Sequence, residues 1–237
     1  MRKNTSNETP DHTKEPWPAW PLEKLLEEAA KALDINLTPN QISLLLAYLE
    51  ELFQWNRKIN LIGPSSPQEA VIRHLADSLS PLPYLPDRRL KVLDMGSGGG
   101  LPGLTLKIIH PNWNVTLTES NLKKTSFLRH AIRLLALQDS KVLSLRVGEE
   151  TADLVFEEYD LITARALGSL AGFLALARPF LAPGGCILAY KGPKAAKEVE
   201  DAEETLSSLG LALVRTEEFM LPFLNHKRVL LFFEETA

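Results

Sequence analysis

Apolar and polar positions change rhythm near residue 90. Before it, apolar residues recur at three- and four-residue spacing. Leu22, Leu25, Leu26, Ala29, Ala30 and Leu33 fall on one face of an amphipathic helix. Thr38-Pro39 supplies an N-cap and a first-turn proline, which opens a second helix through Ile42, Leu45, Leu46, Leu49, Leu52 and Phe53. A third helical pattern runs over 67–79 and ends near Pro81 and Pro83. From Leu90 the pattern alternates. Strand-like runs at 90–94, 114–119, 141–147, 159–164 and 185–190 are separated by helical runs at 101–110, 122–137, 167–181 and 194–209. That rhythm predicts a parallel sheet with helices on both faces. The last two strand-like runs, 211–219 and 228–233, have no helix between them and are expected to pair antiparallel at one side of the sheet. Residues 1–21 are polar, then rich in Pro and Trp (Pro16, Trp17, Pro18, Trp20, Pro21), and read as a flexible extension whose tryptophans can dock on the body. The expected organisation is an extension over 1–21, a helical cap over 22–86 and a Rossmann-like α/β domain over 87–237.

The junction between first strand and first helix carries the chemistry. Leu90-Lys91-Val92-Leu93-Asp94 leads into Met95-Gly96-Ser97-Gly98-Gly99-Gly100-Leu101-Pro102-Gly103. A strand, a glycine-rich turn and a helix start form a nucleotide-type ligand site, because glycine accepts positive φ and admits close approach of a ligand to the main chain. Gly98 to Gly103 also satisfies G-x-G-x-x-G, so the glycines alone leave a dinucleotide open. Asp94 bears on the choice. A carboxylate beside the turn repels a pyrophosphate and suits a ligand that is cationic there. S-adenosylmethionine, with its ammonium and sulfonium groups and no phosphate, fits. Glu119, at the tip of the next alternation, suits the two ribose hydroxyls. The plainer reading is that Asp94 caps a turn and Glu119 opens a helix.

Composition narrows the class. The chain has 237 residues, 45% hydrophobic, enough for one substantial core with a smaller appended piece. A formal net charge of −4 argues against gross attraction to nucleic acid but not against a local basic face. Cys186 is the only cysteine, so no disulfide forms within the chain, no Cys-based metal cluster is expected, and a reducing cytoplasm fits. Cys186 enters an apolar strand and reads as a core thiol. No uncharged apolar stretch has transmembrane length and the start lacks a signal-peptide core, so neither a membrane span nor export is expected. No metal site is expected.

Several segments together resemble the RsmG (GidB) family of bacterial small-subunit rRNA guanine-N7 methyltransferases. Trp55-Asn56-Arg57-Lys58-Ile59-Asn60-Leu61 is similar to that family's WN-[KR]-x-x-NLT, and Arg73-His74-Leu75-Ala76-Asp77-Ser78 to its RH-x-x-DS. Asp94 to Gly103 resembles D-x-G-[ST]-G-x-G-x-PG, Thr163-Ala164-Arg165-Ala166 resembles [ST]-x-RA, and Tyr190-Lys191-Gly192 resembles x-KG. Leu101 stands where Phe is frequent, Gly148 where Ala or Glu is frequent, and Ile62-Gly63 replaces the threonine of NLT. The resemblance spans about Leu22 to Phe233. It implies a class I S-adenosylmethionine-dependent methyltransferase: a mostly parallel seven-stranded sheet with a C-terminal antiparallel hairpin and an N-terminal helical cap. The implied reaction is methylation of guanine N7 in 16S rRNA, at position 527 by that likeness. The expected partner is 16S rRNA, the small ribosomal subunit or its assembly intermediate, in the cytoplasm. Nothing in the chain demands a dimer, and a monomer is expected.

On this reading the cofactor residues are Asp94, Gly96, Ser97, Gly98 and Leu101 of the loop, Glu119, Ser120 and Asn121 after the second strand, Val147 and Gly148 after the third, and Arg165 after the fourth. Guanine N7 offers an in-plane lone pair and carries no hydrogen, so no general base is required and no catalytic acid or base is assigned. Arg165, Lys191 and His74 are substrate-side candidates. For Arg165, contact with a phosphate or the cofactor edge is the better reading, since a guanidinium against the base would oppose the product's positive charge. His74 with Asp77, and Asn56 with Asn60, each spaced along a helix, read equally as buried structural pairs or as RNA contacts. Arg57, Lys58, Arg73, Lys123, Lys124 and Arg129 are candidate RNA cations, with Lys194 beside Lys191. His226-Lys227-Arg228 reads as a phosphate contact or a simple turn. Rival functions are a methyltransferase for a protein or small molecule, an NAD-dependent dehydrogenase using Gly98 to Gly103, and a non-enzymatic ribosome-assembly factor.

Overall fold

The computed structural model describes residues 19–148, 157–165 and 167–236. Residues 1–18, including Pro16, Trp17 and Pro18, lie outside them. Helix α1 (Leu22–Lys31) precedes α2 (Pro39–Asn56). Thr38 opens α2 through a capping box with Gln41, as its sequence predicts. The predicted third helix is one path of three parts: α3 (Pro67–Ala70), a π-helical turn over Val71–Ala76, and α4 (Asp77–Leu79).

The alternating region forms β1 (Lys91–Met95), α5 (Gly103–Ile109), β2 (Asn114–Thr118), α6 (Leu122–Leu134), β3 (Ser140–Leu143), β4 (Tyr159–Arg165), α7 (Leu170–Ala177), β5 (Leu181–Lys191), α8 (Ala195–Glu200), α9 (Glu203–Leu209), β6 (Leu211–Met220) and β7 (Lys227–Glu235). Among the described residues these strands make one seven-stranded sheet in the order β3-β2-β1-β4-β5-β7-β6. β1 to β5 pair in parallel. β7 inserts antiparallel between β5 and β6, so the final hairpin closes that side as expected.

Alternation sorts the core onto two faces. Val92, Leu161, Leu188, Leu230 and Phe232 point to the face covered by the cap, α5 and α6. Leu93, Ile162, Ile187, Val229, Leu231 and Phe233 point to the face covered by α7 to α9. The cap therefore shares one apolar cluster with the sheet. Trp20 docks edge-on against Phe223 in the β6–β7 turn, with ring centroids 6.0 Å apart.

Several boundaries differ from those the sequence predicts. β3 ends at Leu143, and residues 144–148 leave the sheet. The 167–181 helix is confined to α7, and Arg178–Phe180 form a short 3-10 turn because Pro179 cannot supply the next amide hydrogen. β5 then starts at Leu181. The 194–209 run breaks into α8 and α9 around Asp201 and Ala202. No helix among the described residues is long and apolar enough to cross a membrane.

Candidate active site

The glycine turn emerges from β1 at the carboxyl end of the sheet, beside the switch where β2 and β4 flank β1, which is where open α/β sheets bind ligands. Asp94 is fully buried beneath the turn. Its Oδ2 accepts the Gly103 amide at 3.0 Å, at the start of α5, while Oδ1 has no hydrogen-bond partner among the described residues. Burial pushes the Asp94 carboxyl up to about 7, against the pull of Ser97, the Gly103 amide and the Arg165 charge. Gly103 admits no side chain: a Cβ would lie 2.6 Å from Asp94 Oδ2 and 2.4 Å from Leu117.

The loop's own amides are largely committed. Gly96 N–H donates to Thr118 Oγ1 at 3.2 Å, and Gly98 N–H to Glu119 Oε2 at 3.1 Å. The Ser97 hydroxyl donates to the Asp94 carbonyl at 2.9 Å. Glu119 Oε1 accepts the Asn121 amide, and Asn121 caps α6 by accepting the amides of Lys123 and Lys124. Each Glu119 oxygen retains a further lone pair for hydroxyl donors. Gly98 holds φ +55°, and a Cβ there would meet nothing closer than 3.9 Å, so the turn is open above that residue. Leu101 is buried and Ser120 exposed at the two ends of this arrangement. Val147 and Gly148 lie in the turn beyond β3, with Gly148 at φ +98°. The cap roofs the loop: Tyr48 Oη donates to the Gly99 carbonyl, and a Cβ on Gly99 would lie 2.9 Å from Leu52. Tyr48 and Thr118 were not among the sequence candidates, because their polar atoms reach the loop only through the tertiary fold.

An ionic network lies at the ends of β4, β5 and β7. Arg165 donates to the carbonyls of Arg73 and His74 and to Ser78 Oγ at 2.6 Å, and its Nη2 lies 3.2 Å from Asp77. Asp77, fully buried, also takes both Nε and Nη2 of Arg228. This corrects two readings. His74 does not pair with Asp77. Its Nδ1 is buried without a partner among the described residues, and burial together with Arg165 holds the imidazole down to about 4, hence neutral at pH 7. Arg228 lies within β7 as a half-buried partner of the buried Asp77, and not in a turn. Lys191 pairs with Glu198 at 2.6 Å.

The remaining candidates separate into engaged and open. Arg73 contacts Glu69 and, at 2.9 Å, His226, while Arg129 donates to Ser144 at 2.8 Å. Arg57, Lys58 and Lys123 are exposed, and Lys124 is half-buried. Trp55 packs on Phe127 and His130, with Glu51 2.8 Å from His130. These contacts bring the end of α2 alongside α6, while Arg57 and Lys58 line a trough on the cap. Asn60 is not on a helix with Asn56, since α2 ends at Asn56, whose Oδ1 accepts the Leu61 and Ile62 amides and closes the following turn. Cys186 is half-buried on β5 and burial pushes its thiol up to about 12, which makes it inert at neutral pH. The largest cavity described, about 1320 Å³, is a trough on the cap between α1, α2 and Pro64–Pro67 that touches none of the strand tips.

Comparison with known proteins identifies the family and the fold. Residues 41–227 match the GidB family, described as rRNA small subunit methyltransferase G. The chain is 38% identical over 208 residues to ribosomal RNA small subunit methyltransferase G of Acetivibrio thermocellus, covering 87% of this chain and 86% of that protein. It is 39% identical over 216 residues to the protein of that name from Burkholderia multivorans, covering 89% and 91%. Among solved structures, a methyltransferase from Pyrococcus furiosus superposes with TM-score 0.56 at 19% identity, covering 80% of this chain and 98% of that one. The ribosomal protein L11 methylase of Lactobacillus delbrueckii gives 0.54 at 15% identity, covering 74% and 91%. At those identities the likeness concerns the fold.

Proposed function

The chain belongs to the rRNA small subunit methyltransferase G (GidB) family, and from that premise we propose that it transfers a methyl group from S-adenosylmethionine to guanine N7 of 16S rRNA in the small ribosomal subunit or its assembly intermediate. The observation that carries the donor assignment is the Glu119 carboxylate bonded to the Gly98 amide, above the buried Asp94. In a pyrophosphate site that amide would face the phosphates. Here it is already spent on an anion, and a polyphosphate would meet two acids. A sulfonium donor whose amino acid end presents an ammonium group fits the same surroundings, and the spare lone pairs of Glu119 fit ribose hydroxyls. The unpartnered Oδ1 of Asp94 marks where a further donor group or an ordered water is accommodated. Ser97, Leu101, Ser120, Asn121, Val147 and Gly148 complete the proposed walls.

When bound, S-adenosylmethionine supplies an electrophilic methyl group. The chain's own task is positioning. Guanine N7 bears no proton, so no residue has to remove one, and neutral His74 and protonatable Asp94 need not act as bases. Arg165, held against the cap by three acceptors, fixes the wall between β4 and the π-turn where the base enters. Alignment of N7 with the methyl carbon at roughly 3–3.5 Å supplies on the order of 7–11 kcal/mol. Arg57, Lys58, Lys123 and Lys124 attract and orient the RNA backbone. Residues 22–86 act as a cap over an 87–237 catalytic domain, and the protein works as a monomer in the cytoplasm. The test is transfer of labelled methyl to 30S subunits lacking the modification. Asp94→Ala and Arg165→Ala are expected to abolish it, and a folded wild-type protein that binds S-adenosylhomocysteine but labels no RNA would refute the substrate assignment.

A further inference from the structure

At the carboxyl ends of β4 and β5 and the amino end of the antiparallel β7, a cavity of about 310 Å³ is walled by Arg165, Tyr190, Lys191, Glu198 and Arg228, with Gly168 and Gly192 at its margin. Positions where a Gly168 or Gly192 Cβ would stand meet nothing within 4 Å, so the rim is open. Two of its three cations, Arg165 and Arg228, share the single buried carboxylate of Asp77. The third, Lys191, is 13% exposed and is neutralised by Glu198 at 2.6 Å, whose own side chain is 34% exposed on α8. Arg228 spends Nε and Nη2 on Asp77. Its Nη1 is the part of the fork left for another acceptor. With Asp77 counted, the site thus holds one more positive than negative charge, and the anion not locked between guanidiniums, Glu198, is a partly exposed carboxylate.

Resting on the proposed reading as an RNA methyltransferase, we infer that Glu198 occupies the seat of one RNA phosphodiester, and that substrate RNA displaces it from Lys191. The exchange is chemically balanced: a singly charged oxyanion leaves the ammonium and another takes its place. The phosphodiester is the better occupant because it offers two non-bridging oxygens, one for Lys191 and one for the remaining Nη1 of Arg228, while Glu198, partly in water already, loses little on release. Glu198 would keep Lys191 paired in the free enzyme and disfavour anions too weakly held elsewhere to evict it, which restricts the seat to RNA anchored along its backbone.

Glu198→Gln, which keeps size and removes charge, is measured with unmodified 30S subunits across a salt series. The expected result is a KM about two- to fivefold lower, the scale of one released ion pair, and a salt dependence of binding steeper by about 0.7–0.9. The gain should vanish in a Lys191→Met background and be absent in Glu204→Gln, which removes an equal charge from an exposed site on α9. S-adenosylhomocysteine affinity by calorimetry should be unchanged. An unaltered or raised KM in Glu198→Gln would overturn the inference, the latter by making Glu198 a support that positions Lys191. An equal gain in Glu204→Gln would also overturn it, as a general charge effect. Failure of the underlying reading looks different, because the wild-type protein would then bind S-adenosylhomocysteine and methylate no RNA.

Discussion

Asp94 and Glu119 stand at the tips of adjacent strands and meet different environments. Both are buried, but Glu119 accepts two amides, whereas Asp94 accepts one and is sealed completely beneath the turn. With its carboxyl raised to about 7 by burial, Asp94 is largely protonated in mildly acidic solution. Affinity for a cationic donor is therefore expected to weaken as pH falls below about 7, approaching tenfold per unit at the limit. Asp94→Asn should bind more weakly at pH 8 and show a flat profile between pH 6 and 8 by calorimetry. A wild-type profile that is flat there would show that Asp94 stays ionised. Gly103→Ala is expected to cost both stability and donor binding, since the new methyl would collide with Asp94 and Leu117. Both acids and the glycines were legible in the sequence because strand, turn and helix start are contiguous. The burial of Asp94 was not, because the Tyr48 and Leu52 roof comes from forty residues upstream.

Between elements, the decisive contact joins the cap to the last hairpin. Asp77 and Arg228 are 151 positions apart, and no periodicity links them. Spacing along the helix suggested a His74–Asp77 pair instead. The π-turn and the nearby guanidiniums redirected Asp77, which gains more from two charge-assisted partners than from a neutral imidazole. Asp77→Ala leaves two partly buried guanidiniums without their counter-ion. A loss of about 3–5 kcal/mol in denaturant unfolding is expected, together with loss of activity as the cap shifts over the loop. Strand and helix order was legible from alternation. The early end of β3 and the early start of β5 were not, since apolar side chains beyond a strand still pack on it.

For the molecule as a whole, His74 and Asp94 set opposite acid responses. Asp94 in the folded state holds a proton between about 4 and 7 that the unfolded chain, with its ordinary value of 3.8, has released, so this group lowers stability as pH rises through that window. His74, held down to about 4 from 6.5, stays neutral where the unfolded chain is protonated, so it lowers stability as pH falls from 6.5 toward 4. Wild type is expected to change little between pH 5 and 6.5. Asp94→Asn should lose stability, on the order of 2 kcal/mol, over that fall in pH, and His74→Gln should gain it. Urea midpoints at pH 5 and 6.5 check both signs. Over the same whole-molecule scale, Lys123→Ala and Lys124→Ala should each weaken RNA binding uniformly and reduce the salt slope by about 1.

Incubation of the wild-type protein with labelled S-adenosylmethionine and 30S subunits lacking the modification, followed by digestion and mass mapping of the RNA, bears most directly on the enzyme assignment. One N7-methylguanosine carrying the label in 16S rRNA is predicted. Label appearing on a ribosomal protein, or none at all from a folded protein that binds S-adenosylhomocysteine, would contradict it.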